Sequence, residues 1–132
     1  MSKSIQTSGK RKSAIAKATL SPGKGIVKIN NKSLKVYQPI MSQRRIMEPL
    51  ILAGDVSKKV NISVRSLGGG ISSQSDAIRL AIAKALAEFK PELRQTFLDY
   101  DRQLLVADVR QKETRKPNRH GKARAKRQKS YR

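Results

Sequence analysis

The sequence predicts an α+β fold, one small sheet with helices on it, followed by a long extended basic C-terminal tail. Short stretches that alternate apolar and polar residues fill much of the first half, which is the period of a half-buried strand. A long run before Pro91 repeats its apolar residues at i, i+4, the period of an amphipathic helix. Beyond Val109 there is almost nothing to bury, and eleven Lys and Arg face Glu113 alone. With 132 residues the chain supports a single core. It divides into a globular domain, residues 1–109, and an extended basic tail, residues 110–132.

Taken in order, residues 5–20 read as one strand, with Ala14, Ala16 and Ala18 alternating against Ser13, Ile15, Lys17 and Thr19. Pro22, Gly23 and Gly25 let the chain reverse, and residues 26–29 follow as a second strand, making a hairpin. Asn30 and Asn31 signal another turn, with a brief extended piece over 33–37. Pro39 opens a helix lined by Ile40, Met47, Leu50 and Ile51, which Pro49 is expected to kink or split. Gly54 and Asp55 stop it. Val60, Ile62 and Val64 alternate with Asn61, Ser63 and Arg65, the clearest strand signal in the chain. Ser73 and Asp76 fit a capping box for the long helix, whose face is Ile78, Ala81, Ile82, Ala85, Leu86 and Phe89. Pro91 ends it, residues 92–100 form a further short helix, and Leu104, Leu105 and Val106 close the body as a last short strand.

Charge is the strongest functional signal. Thirty Lys and Arg against nine Asp and Glu give a net charge of +21, which repels itself unless a polyanion neutralises it. Nucleic acid is the indicated partner. No segment is apolar enough to span a bilayer, and no Arg-rich helix has a clean apolar face, so a membrane partner is not expected. The absence of cysteine removes disulfides, thiolate metal sites and thiol catalysis together. The single His120 sits among cations, and no metal or other cofactor is expected. No apolar run follows Met1, so the chain is expected to stay where it is made, in the cytoplasm. Five aromatic residues are too few for a surface that stacks several bases, which leaves phosphate contact and shape.

The remaining constellations each admit a plainer reading. Gly68, Gly69 and Gly70 precede the long helix as a phosphate loop does, but the order of a nucleotide-binding loop is missing. A tight connection and an RNA phosphate contact both remain open there. Asp99, Asp101 and Asp108 make no acid–base pair with a nucleophile, and Arg102 beside Asp101 points to local salt bridging or helix-end structure. Tyr100 fits base stacking or, more commonly, a core or sheet-edge role. Lys10, Arg11 and Lys12 are adjacent, so on a strand they point to both faces; they fit either an RNA crossing or a solvated strand entry.

Several stretches together resemble one family, that of the small-ribosomal-subunit protein numbered nine. They are GKRKSAIAKATL at 9–20, GKGIVKIN at 23–30, GGG at 68–70 with QSDAIRLAIAKAL at 74–86, and the ending KPNRHGKARAKRQKSYR at 116–132. They span nearly the whole chain in order. MEPLILAG at 47–54 and the final QKSYR look like the archaeal and eukaryotic branch, and the short N-terminus and basic ending look most like the archaeal form.

The resemblance implies a small sheet with helices packed on one side, like the second domain of the small-subunit protein numbered five. It implies a structural constituent of the small-subunit head, with small-subunit ribosomal RNA and neighbouring head proteins as partners. Lys10, Arg11, Lys12, Arg115, Lys116, Arg119, Lys122, Arg124, Lys126, Arg127 and Lys129 are then the candidate ribosomal-RNA contacts. The tail would reach the peptidyl-site transfer RNA, with Ser130, Tyr131 and Arg132 at its anticodon stem and Arg132 on a phosphate. Bacterial forms commonly end in Lys-Arg, where this chain has Tyr131 before Arg132. No catalytic residue is expected. A general nucleic-acid chaperone or nucleoid-type protein is the alternative, and an enzyme acting on RNA a distant third.

Overall fold

The computed structural model describes residues 4–111, 114–118 and 123. Among these residues a single mixed sheet of five strands, in the spatial order β1-β2-β5-β3-β4, carries three α-helices. The strands are β1 (Ile5–Arg11), β2 (Ala14–Pro22), β3 (Val27–Ile29), β4 (Lys32–Ser33) and β5 (Val60–Leu67). The helices are α1 (Ile40–Ala53), α2 (Ile71–Phe89) and α3 (Leu93–Tyr100). No helix among the described residues is long and apolar enough to cross a membrane.

The alternation read over residues 5–20 belongs to two strands rather than one. β1 and β2 pair antiparallel from Ile5↔Leu20 to Arg11↔Ala14, leaving Lys12 and Ser13 as a two-residue turn. Lys12 adopts φ 54, the left-handed conformation that such tight turns require and that Gly or Asn usually announces. The turn was therefore silent in the sequence. Between β3 and β4 the signal was plain, and Asn30 (φ 50) and Asn31 (φ 68) supply both positive φ values of a tight hairpin turn.

The expected hairpin of β2 with the next strand is not formed. β2 pairs antiparallel with β5, and β3 lies on the far side of β5, parallel to it, with Val27 opposite Ile62. The Pro-Gly connection is a crossing past the start of β5. The Asn61 side-chain oxygen accepts from the backbone N–H of Lys24 (2.9 Å) and Ile26 (3.1 Å), and Gly23 N–H donates to the Lys59 carbonyl at 2.9 Å. These partners are distant in sequence, so local composition gives no sign of them.

Alternation along the strands puts Ala14, Ala16, Ala18 and Leu20 of β2 and Val60, Ile62 and Val64 of β5 on one buried face. Against it lies α2, with Ala77, Ile78, Ala81, Ile82, Ala85 and Leu86 buried and α1 packed on its flank. Each large apolar side chain so buried contributes about 1.5–3 kcal/mol. Phe97 of α3 and Leu104 complete the core, both at 0% exposure. Gly9 is what lets α2 come this close: a Cβ there would stand 2.2 Å from the Ala77 carbonyl oxygen and 2.9 Å from the Ala81 nitrogen.

Other expectations are corrected by tertiary packing. α1 is not split at Pro49, which is buried inside the helix, although it stops at Gly54 (φ 60) as expected. α2 begins at Ile71 with Gly70 before it, so Ser73 lies in the first turn and is not the cap. Its start is set by Gly68 (φ 75) and Gly69 (φ 65), which press on Ser13 and Ala14 where a Cβ would not fit. Phe89 is 39% exposed at the end of α2 and does not extend the buried face. Residues 34–36 and 102–104 are 3-10 turns, so neither the full extended piece at 33–37 nor the strand at 104–106 exists.

Replacing Gly9 with Ala should destabilise the fold by about 1–3 kcal/mol, because backbone rather than a flexible side chain blocks the added methyl. Thermal unfolding of the variant beside the wild type measures this. An unchanged midpoint would mean that α2 can move away from β1 without loss.

Candidate nucleic-acid interface

The three adjacent cations near the N-terminus end in three different settings. Lys10 is exposed on the sheet face turned away from the helices, and Lys12 is exposed at the β1–β2 turn. Arg11, half-buried on the helix side, lies 3.3 Å from Asp108 and 3.7 Å from Asp76. Its charge is already engaged within the protein.

Arg11 belongs to an ionic cluster at the place where the chain leaves the body. Asp76 also meets Arg45 at 3.4 Å, and Arg79 bridges Glu48 (2.5 Å) and Asp101 (3.1 Å). Asp108, whose side chain is 14% exposed, accepts from Arg110 through Nη2 (2.6 Å), Nε (3.0 Å) and the backbone N–H (2.9 Å). Hydrogen bonds from Arg110, with Arg11 close by, hold the Asp108 carboxyl well below the usual carboxylate range, against the opposing effect of its desolvation. These groups line a cavity of about 580 Å³ that also includes Lys10 and Tyr100.

The cluster accounts for two of the three aspartates singled out by the sequence. Asp101 and Asp108 are salt-bridged as expected, although the partner of Asp101 is Arg79 rather than the neighbouring Arg102. Asp101 also accepts from the Gln103 N–H at 3.0 Å, a helix-end contact. Asp99 stands apart, accepting from Gln95 at 2.8 Å on the surface of α3. Tyr100 is 55% exposed and so lies outside the core. Gly68 and Gly69 have a backbone reason to be glycine, set out above.

Arg115 and Lys116 are exposed. Arg119, Lys122, Arg124, Lys126, Arg127, Lys129, Ser130, Tyr131 and Arg132 lie outside the described residues. Lys17, Lys28 and Arg65, which are not among the cations that the sequence singles out, share the exposed sheet face with Lys10. Their signal was present in the alternation: each is out of phase with the buried residues of its own strand.

The sequence model of the family described as "Ribosomal protein S9/S16" matches residues 9–132. The chain is 48% identical over 133 aligned positions to a protein of Methanococcus maripaludis strain C7 named "Small ribosomal subunit protein uS9", covering 98% of this chain and 99% of that one. A protein of the same name from Methanococcus vannielii is 47% identical over the same shares of the two chains.

Asp108→Asn should lower the unfolding temperature at neutral pH by leaving Arg11 and Arg110 without their shared carboxylate. Because the folded-state carboxyl titrates below its unfolded value, its contribution is full above the ordinary carboxylate range and is lost only in stronger acid. Wild type and variant should therefore differ at neutral pH and converge as the pH falls below that range. Calorimetric unfolding across pH checks this; equal stability at neutral pH would show the cluster to be idle.

Proposed function

The chain belongs to the ribosomal protein S9/S16 family, and on that premise we propose that it is a structural constituent of the small ribosomal subunit, working in translation. The family is one of ribosomal structural proteins and not of enzymes, and the ribosome is a cytoplasmic complex. The body, residues 1–109, binds ribosomal RNA in the subunit head beside neighbouring head proteins. The tail, residues 110–132, runs along ribosomal RNA toward the peptidyl site.

The observation that supports this reading is that the family match continues to Arg132, so the basic ending lies within the matched region. Eleven Lys and Arg there repel one another in a free chain, and RNA phosphates remove that repulsion with release of counterions. Gly121, Ala123 and Ala125 keep the tail slender and Pro117 stiffens its entry. The Arg11–Asp108–Arg110 contacts hold the chain to the body just where body and tail divide. Ser130, Tyr131 and Arg132 then meet the anticodon stem of peptidyl-site transfer RNA. Arg132 on a phosphate retains any transfer RNA, since phosphate carries no sequence information.

Sedimentation of a tagged chain from cell extract after a high-salt wash, with and without ribonuclease, tests the assignment. Co-migration with the small subunit, abolished by ribonuclease, is the expected result; release by salt or spread over many RNAs would favour the general nucleic-acid chaperone. Deleting residues 115–132 should weaken RNA binding and flatten its salt dependence, since six to ten phosphate contacts change affinity by roughly 10³–10⁵ between low and moderate salt. An unchanged slope would make the tail a free end. Arg132→Ala should leave subunit assembly intact and loosen peptidyl-site transfer RNA in filter-binding assays, and undiminished retention would remove the role assigned to that residue.

A further inference from the structure

We propose that the open face of the sheet, centred on Lys17 and Arg65, docks the sugar–phosphate backbone of RNA; the proposal rests on the reading of the chain as a small-subunit component. Helices cover only the face that carries Ala14, Ala16, Ala18, Val60, Ile62 and Val64. The opposite face is left to solvent, and register assembles on it residues from four parts of the sequence. Lys17 stands directly opposite Arg65, Ile15 lies between Lys10 and Leu67, and Lys28 reaches the same face beside Ser63.

Charge identifies the occupant. No strand contains an Asp or Glu, so the carboxylates lie on the helices, turns and connections. None of Lys10, Lys17, Lys28 and Arg65 makes an ion pair among the described residues. Like charges placed directly opposite across a strand pair weaken a sheet, so the Lys17–Arg65 pair costs the free protein stability. An anion bound between the two removes that cost, and a local conflict of this kind marks a functional surface.

The rest of the face selects a nucleic-acid backbone over a protein or a bilayer. Ile15 (44% exposed) and Leu67 (65% exposed) lie side by side on it as an apolar patch. They floor a shallow depression of about 390 Å³ edged by Lys17, Arg65 and Ser13. That patch holds the apolar side of one ribose while the two cations take the adjacent phosphates. Ser8, Thr19 and Ser63 supply hydroxyls to the neighbouring rows, partners for ribose 2′-hydroxyls. With no aromatic residue on the face there is no platform for base stacking, and binding there is indifferent to sequence.

The test uses the full chain and protein-free small-subunit ribosomal RNA as probe. The double variant Lys17→Gln/Arg65→Gln should make the salt slope of binding shallower by about 1.4–1.8, the share of two phosphate contacts. Arg44→Gln/Lys90→Gln, an equal loss of charge at exposed positions on the helical side, should change it less. Equal effects of the two pairs would overturn the proposal. Since the chain has no cysteine, Ser63→Cys places a single photoreactive label in the middle of the face. In assembled subunits a cross-link to ribosomal RNA supports the proposal, whereas a cross-link to protein, or none, overturns it. Failure of the labelled and wild-type chains alike to enter the small subunit would instead refute the functional reading on which it rests.

Discussion

The close seating of α2 on the sheet is the constraint from which the rest of the structure follows. Small residues meet on both sides of that contact, with Gly9, Ala14, Ala16 and Ala18 on the strands and Ala77, Ala81 and Ala85 on the helix. Because the backbones approach so closely, one helix suffices to cover β1, β2 and part of β5, and it is itself buried on most of its surface by α1, α3 and the 3-10 turn ending at Leu104. A protein of 132 residues thereby makes a core without spending both faces of its sheet.

Leaving one face uncovered has an electrostatic consequence. The carboxylates gather on the helical side, where Asp76, Glu48, Asp101 and Asp108 neutralise Arg11, Arg45, Arg79 and Arg110 at the exit of the chain. On the open face Lys10, Lys17, Lys28 and Arg65 have no carboxylate partner among the described residues. A net charge of +21 is therefore not spread evenly: one end of the body is knit together by paired charge, while the open face and the sequence beyond Val109 hold the excess that a polyanion must meet.

This division also separates cations that look alike in a sequence. Lys10, Arg11 and Lys12 are consecutive, yet strand alternation and the turn send Lys10 to the open face, Arg11 into a cluster of carboxylates and Lys12 to the tip of a hairpin. Arg11 thus contributes to the attachment of the segment around Asp108. Lys17 and Arg65, distant in sequence, stand directly opposite each other across β2 and β5.

The sequence alone determined what depends on composition and short-range period. The α+β class, the strand now called β5, the helix before Pro91, the stop at Gly54, the Asn30–Asn31 turn and the basic ending were all legible, because each rests on residues within one turn or one strand of each other. The resemblance to the family was legible too, since its motifs run in order through the chain. Tertiary structure decided the rest: the split of residues 5–20 at a turn without glycine, the parallel pairing of β3 with β5, the early start of α2 behind Gly68 and Gly69, and the survival of α1 through Pro49. It also decided which cations are paired and which are exposed. These features are set by contacts between residues far apart in the chain, whose energies appear only when the backbones are brought together, and local patterning carries no record of that encounter.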